Sequence, residues 1–70
     1  MDIKTQLGLE IRKVRLAKGY SQEKLAEISK LHRTYIGGVE RGERNIGIVN
    51  LQRIADSLEI KISELFQAIE

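Results

Sequence analysis

Apolar residues return every three or four positions along most of this chain, and no proline interrupts them. That spacing is the period of an α-helix turning one face to a core, whereas a strand would need sustained alternation. The pattern predicts an all-α fold, a compact bundle of five short helices. Leu7, Ile11 and Val14 form the stripe of a first helix from about Thr5 to Lys18, with Gly19 as its C-terminal cap. Ser21 is a good N-cap for a second helix through Ser29, with Leu25, Ala26 and Ile28 inward. Glu23 falls in its first turn, where the helix dipole favours a carboxylate. Ile36 and Val39 carry the pattern to Gly42 in a third helix, and Ile48, Leu51, Ile54, Ala55 and Leu58 mark a fourth. A fifth, "SELFQAI", starts from Ser63 as N-cap. The links are too short to separate domains, so residues 1–70 read as a single domain.

A chain of 70 residues buries only about 60% of its unfolded surface, which leaves no room for a large cofactor cavity. Cysteine is absent and His32 is the one histidine, so neither a thiolate metal site nor an imidazole cluster can form; no cofactor or metal is expected. No serine or carboxylate has a histidine partner at a recognisable spacing, and no glycine-rich phosphate loop follows a strand, which argues against an enzyme or a small-molecule ligand. No run approaches the ~18 apolar residues of a membrane span. The start "MDIKTQLGLEIRK" lacks the basic opening and apolar stretch of a signal peptide. The expectation is a soluble cytoplasmic protein with no membrane partner.

The net charge of +2 is unevenly spread: residues 1–44 carry ten Lys or Arg against six Asp or Glu, and residues 45–70 carry two against four. A basic front and an acidic back suit a chain with one surface turned to a polyanion. Ordinary solvated helix faces give the same counts, so charge alone does not decide.

The stretch "HRTYIGGVERGERN" is more informative. Gly37 and Gly38 each cost roughly 1 kcal/mol relative to alanine inside a helix, so either Gly37 ends the third helix or a bare backbone is wanted on that face. If the helix runs from Arg33 to Arg41, then Arg33, Gly37 and Arg41 share one face, with Thr34 and Gly38 beside them and Ile36 and Val39 opposite. That face begins with hydrogen-bonding side chains, is bare in its middle and ends in a cation, as a close approach to a DNA groove requires.

The second and third helices with their short turn make a helix-turn-helix. The run "GYSQEKLAEISKLHRTYIGGVERGERNI", preceded by "LGLEIRKVR" and followed by "NLQRIADSLEIKISELF", resembles the Cro and phage-repressor helix-turn-helix family over nearly the whole chain. Within that family, "LHRTYIGGVERGERNI" and "VNLQRIA" look most like the controller proteins of restriction-modification systems. Four positions depart from the common pattern: Ile46-Gly47 replaces Pro-Ser before the fourth helix, Glu59 replaces a glycine after it, and His32 stands where the family often places Ser, Thr or Asp to cap the third.

The resemblance implies a lambda repressor-like DNA-binding domain that regulates transcription as a homodimer on a pseudo-palindromic operator of double-stranded DNA. A phage-type repressor, a general regulator and an antitoxin-like protein-binding module are the alternatives. Arg33 can offer a two-pronged contact to guanine, and Thr34 a hydroxyl or methyl to its neighbour. Arg44 joins these base readers, able to enter the minor groove or to touch phosphate. Relatives use a residue like Gln22, with the N–H groups at that helix end, to hold phosphate. Tyr35, Arg41, Asn45 and Asn50 look like further contacts to the DNA backbone. Arg15 and Glu40 resemble an ion pair that relatives keep inside the fold. Val49, Ile62, Phe66 and Ile69 offer apolar surface for a dimer interface; the alternative is that Ile62 and Phe66 simply close the core, and for Phe66 the two readings weigh equally.

Overall fold

The computed structural model describes residues 2–69. Five helices follow one another: α1 (Ile3–Ala17), α2 (Gln22–Ser29), α3 (Arg33–Glu40), α4 (Ile48–Ser57) and α5 (Ile62–Gln67), with no strand among the described residues. The apolar spacing thus gives the all-α bundle it predicts. Helix α3 packs against α1 and α2, α2 also meets α4, and α5 closes against α1 and α4. At the centre Ile11, Leu25, Ile36, Ile54, Leu58 and Leu65 are fully buried. Each such side chain contributes about 1.5–3 kcal/mol relative to exposure, and every helix or its cap supplies at least one. None of the described helices is long and apolar enough to cross a membrane.

Local chemistry sets the helix ends. Asp2 accepts the Thr5 N–H at 2.8 Å and Ser21 accepts that of Lys24 at 2.9 Å, each relieving an orphan donor of a first turn. The Asp2 cap starts α1 two residues before Thr5. His32 also caps: its Nδ1 accepts the Thr34 N–H at 3.2 Å. Gly19 and Gly42 follow α1 and α3 with φ of 76° each, the left-handed turn that glycine adopts without a Cβ clash.

Three expectations need correction. Ile28 is 38% exposed, and Ser29 takes the inward place beside Leu25 and Ala26. The buried face of this short helix spans positions 25, 26 and 29, which leaves Ile28 at its edge. Ile48 is 72% exposed although it keeps the register of Leu51 and Ile54; as the first residue of α4 it lies before the stripe meets its neighbours. Finally, α5 starts at Ile62 and not after Ser63. The Lys61 N–H donates to Glu64 Oε1 at 3.3 Å, so the first turn closes ahead of the serine.

The close contact of α1 with α3 depends on Gly8. It lies on the buried face of α1 with Leu7, Ile11 and Arg15, directly above the end of α3. A Cβ there would overlap the Val39 carbonyl oxygen and stand 2.6 Å from that of Glu40. The missing side chain lets α1 rest on the α3 backbone and fixes where the start of α3 emerges.

Candidate nucleic-acid interface

Helix α3 passes from exposed to buried along its length. Arg33 and Thr34 at its start are exposed, Tyr35 is half-buried, and Ile36 through Glu40 are buried. The helix runs unbroken through both glycines, and neither has positive φ, so Gly42 and not Gly37 ends the element.

The middle of the outward face is nevertheless not bare. A Cβ at Gly37 would lie 3.0 Å from Arg41 Nη1 and 3.5 Å from Gln22 Oε1, and one at Gly38 would lie 2.8 Å from Arg44 Cγ. The glycines therefore make room for the protein's own side chains: Arg41 and Gln22 fold over position 37, and the stem of Arg44 over position 38. The expectation of an open backbone is corrected accordingly. What results is a shallow polar cleft walled by Gln22, Arg33, Thr34 and Arg41 with Gly37 as its floor.

Beneath the cleft runs a buried hydrogen-bonded chain. Arg15 meets Glu40 with two prongs, Nε to Oε2 at 2.6 Å and Nη2 to Oε1 at 2.9 Å, while Nη1 donates to the Tyr20 carbonyl at 2.8 Å. Both residues are over nine-tenths buried, and no buried side-chain donor or acceptor among the described residues lacks a partner. Gln22 joins the same carboxylate, Nε2 donating to Glu40 Oε1 at 3.0 Å. One amide hydrogen of Gln22 is thus held inward while its Oε1 faces Gly37. The expected ion pair and the expected phosphate contact belong to one network.

A second cluster gathers beside α3. Asn50 Nδ2 donates to the Tyr35 hydroxyl at 3.3 Å, and the Arg44 guanidinium lies 5.9 Å from the Tyr35 ring centre, within cation–π range. Arg44 is thereby held against both Tyr35 and Gly38. Asn45 is exposed next to it, at the mouth of an apolar groove lined by Leu7, Val39, Leu51 and Phe66.

Two of the expected DNA contacts already hold carboxylates. Arg33 Nη1 pairs with Glu23 at 3.0 Å, and Arg41 Nε with Glu43 at 3.1 Å; all four side chains are more than half exposed. The hydrogen bond from Arg41, and then its charge, hold the Glu43 carboxyl below the usual range and raise the Arg41 guanidinium in turn. Sequence periodicity could not find the Arg33–Glu23 contact, because it joins separate helices across the turn.

Of the residues expected at a dimer interface, Val49 is 66% exposed, whereas Ile62, Phe66 and Ile69 are partly buried against the core. Ile48 and Ile3, which the sequence pattern does not place at the surface, add to the exposed apolar area.

A short helix, a tight turn and a second helix with a polar, cationic start define a helix-turn-helix domain. The chain belongs to the helix-turn-helix family, whose sequence model (HTH_3) matches residues 11–65. It is similar to the control protein C.SmaI of Serratia marcescens, 49% identical over 93% of this chain and 77% of that one. The restriction-modification controller protein C.AhdI from Aeromonas hydrophila superposes with a TM-score of 0.87 at 50% identity, over 89% of this chain and 94% of that one. The controller protein C.Esp1396I, solved as a tetramer in complex with its natural 35 base-pair operator, has a TM-score of 0.87 at 40% identity, over 96% and 88% of the two chains. That protein has also been solved with arginine-to-alanine, threonine-to-alanine and tyrosine-to-phenylalanine changes at three consecutive positions.

Proposed function

We propose that this chain is a sequence-specific DNA-binding transcriptional regulator, a restriction-modification controller protein acting in the cytoplasm as a homodimer on a pseudo-palindromic operator. The observation that carries this reading is the exposed start of α3, where Arg33 and Thr34 stand at one end of a polar cleft closed by Arg41. Arg33 and Thr34 read base edges, joined by Arg44, while Gln22, Tyr35, Arg41, Asn45 and Asn50 take the DNA backbone. The run Arg33-Thr34-Tyr35 has the order of the three side chains altered in the variants of C.Esp1396I, which supports this assignment. Gly37 and Gly38 permit close approach by letting Arg41 and Arg44 lie flat on the helix.

One such helix reads only a few base pairs, so two copies entering successive major grooves about 34 Å apart are needed for affinity. Val49 with Ile62, Phe66 and Ile69 forms the proposed dimer surface, extended by Ile48. Family membership and the site argue for binding without catalysis, with no cofactor, metal or small-molecule ligand.

Selection of bound fragments from a random DNA pool tests the reading. Enrichment of one motif with two-fold symmetry supports it. A pool that stays random after several rounds would remove sequence-specific DNA binding as the function.

A further inference from the structure

Glu23 and Glu43 put two carboxylates on the face that the proposed function turns to DNA, an arrangement that should repel phosphate. Each holds an arginine, and each leaves a two-donor edge of that guanidinium open. Glu23 takes Nη1 of Arg33, so the edge formed by Nε and Nη2 is not engaged by this pair; Glu43 takes Nε of Arg41, so the edge formed by Nη1 and Nη2 is not engaged by that pair, and Nη1 lies over Gly37. A fork of two N–H groups is what guanine O6 and N7 accept. Glu23 stands in the first turn of α2 and Arg33 in the first turn of α3, so their contact spans the two helices of the motif at the end that meets the groove.

We propose that Glu23 is a positioning residue for base reading, one that keeps hold of Arg33 in the DNA complex. This inference rests on the DNA-binding reading above. A free arginine on a long stem reaches any nearby phosphate and so strengthens every sequence alike. Arg33 tied to Glu23 is electrically balanced and restricted in direction. Its remaining fork gains little from a stray phosphate and much from a correctly placed base. Mere competition between Glu23 and DNA would not produce this result: a carboxylate that has to leave penalises binding without favouring the right sequence. Discrimination arises because the pair persists. Glu43 plays the other part: Arg41 faces phosphate, so the Glu43 charge beside it weakens every duplex alike.

The test compares Glu23→Gln and Glu43→Gln with the wild-type chain, using the duplex enriched from the random pool and a scrambled duplex of equal length. Both glutamates are exposed, and thermal melts verify that the variants fold. Glu23→Gln should raise affinity for scrambled DNA by about threefold to fivefold, the scale of one exposed charge pair, with a steeper salt dependence. It should not raise operator affinity, so the specificity ratio falls and the preference at the base pair read by Arg33 relaxes. In an Arg33→Ala background the same change should leave the ratio of operator to scrambled affinity unaltered, because Glu23 acts through Arg33. Glu43→Gln should strengthen both duplexes equally. A Glu23→Gln variant with an undiminished specificity ratio would overturn the inference and leave the proposed function standing. A wild-type chain without sequence preference would overturn both.

Discussion

Arg15 reaches from α1 to Glu40 at the end of α3 and closes a two-pronged ion pair, and the same carboxylate holds the Gln22 amide at the start of α2. Three helices thus meet on one buried charge, directly under the cleft that carries Arg33 and Arg41. The pair fixes the angle at which α3 leaves the bundle, and through Gln22 it ties that angle to the start of α2.

Loss of one partner should therefore be severe. Glu40→Ala leaves the Arg15 guanidinium buried without its counter-charge, and the expected loss is about 3–5 kcal/mol, the scale of a broken buried pair. Glu40→Gln keeps an acceptor for Gln22 and should retain more of the stability. Urea denaturation of the two variants checks this. Wild-type stability in Glu40→Ala would show that the pair does not hold the helices together.

Two glycines inside helices should behave in opposite ways. Gly8→Ala drives a Cβ into the carbonyl oxygens of Val39 and Glu40, which are backbone and cannot rotate away. Overpacking of this kind costs about 1–3 kcal/mol or more. Gly37→Ala meets only the flexible ends of Arg41 and Gln22, and alanine gains about 1 kcal/mol of helix propensity over glycine. Its stability should be equal or slightly higher. Thermal melts compare them directly, and a Gly8→Ala variant as stable as Gly37→Ala would contradict the close approach of α1 to α3.

Glu59 sits after α4 at a φ of 56°. A side chain in that left-handed region costs roughly 1–2 kcal/mol. Its exposed pair with Lys18 at 3.3 Å returns at most about 1 kcal/mol. Glu59→Gly should exceed Glu59→Ala in stability by about 1 kcal/mol, because both lose the pair and only glycine relieves the backbone. Equal melting temperatures would show that position 59 is unstrained.

How much of the molecule is legible in its sequence follows from the range over which each signal acts. The helix order and the core residues Ile11, Leu25, Ile36, Ile54 and Leu58 come through, because a 3.6-residue period is written locally. Ile28 and Ile48 do not: periodicity gives a direction around the helix axis but not where a neighbouring helix starts or stops. Gly37 and Gly38 are visible as an anomaly inside a helix, yet the side chains that cover them, Arg41, Gln22 and Arg44, all come from outside α3. Likewise Gly8 becomes meaningful only when α3 is set against it. The Arg33–Glu23 pair joins α2 to α3 across the turn, a distance at which no helical repeat operates. The resemblance to a family supplies the Arg15–Glu40 pair, which 25 positions of separation would otherwise hide.

In the proposed function the start of α3 reads sequence while the rest of the cleft holds the DNA backbone, and this division is tested most directly by titration. Wild type, Arg33→Ala and Arg41→Ala are titrated against the selected operator, against operators altered one base pair at a time, and against scrambled DNA. Arg33→Ala should lose about 1–3 kcal/mol on the operator and become indifferent at one base pair of each half-site, with little change on scrambled DNA. Arg41→Ala should weaken every duplex alike and lower the slope of log affinity against log salt by about 0.9 for each phosphate it leaves unneutralised. An Arg33→Ala variant that weakens operator and scrambled DNA equally, with its base preferences intact, would contradict the account.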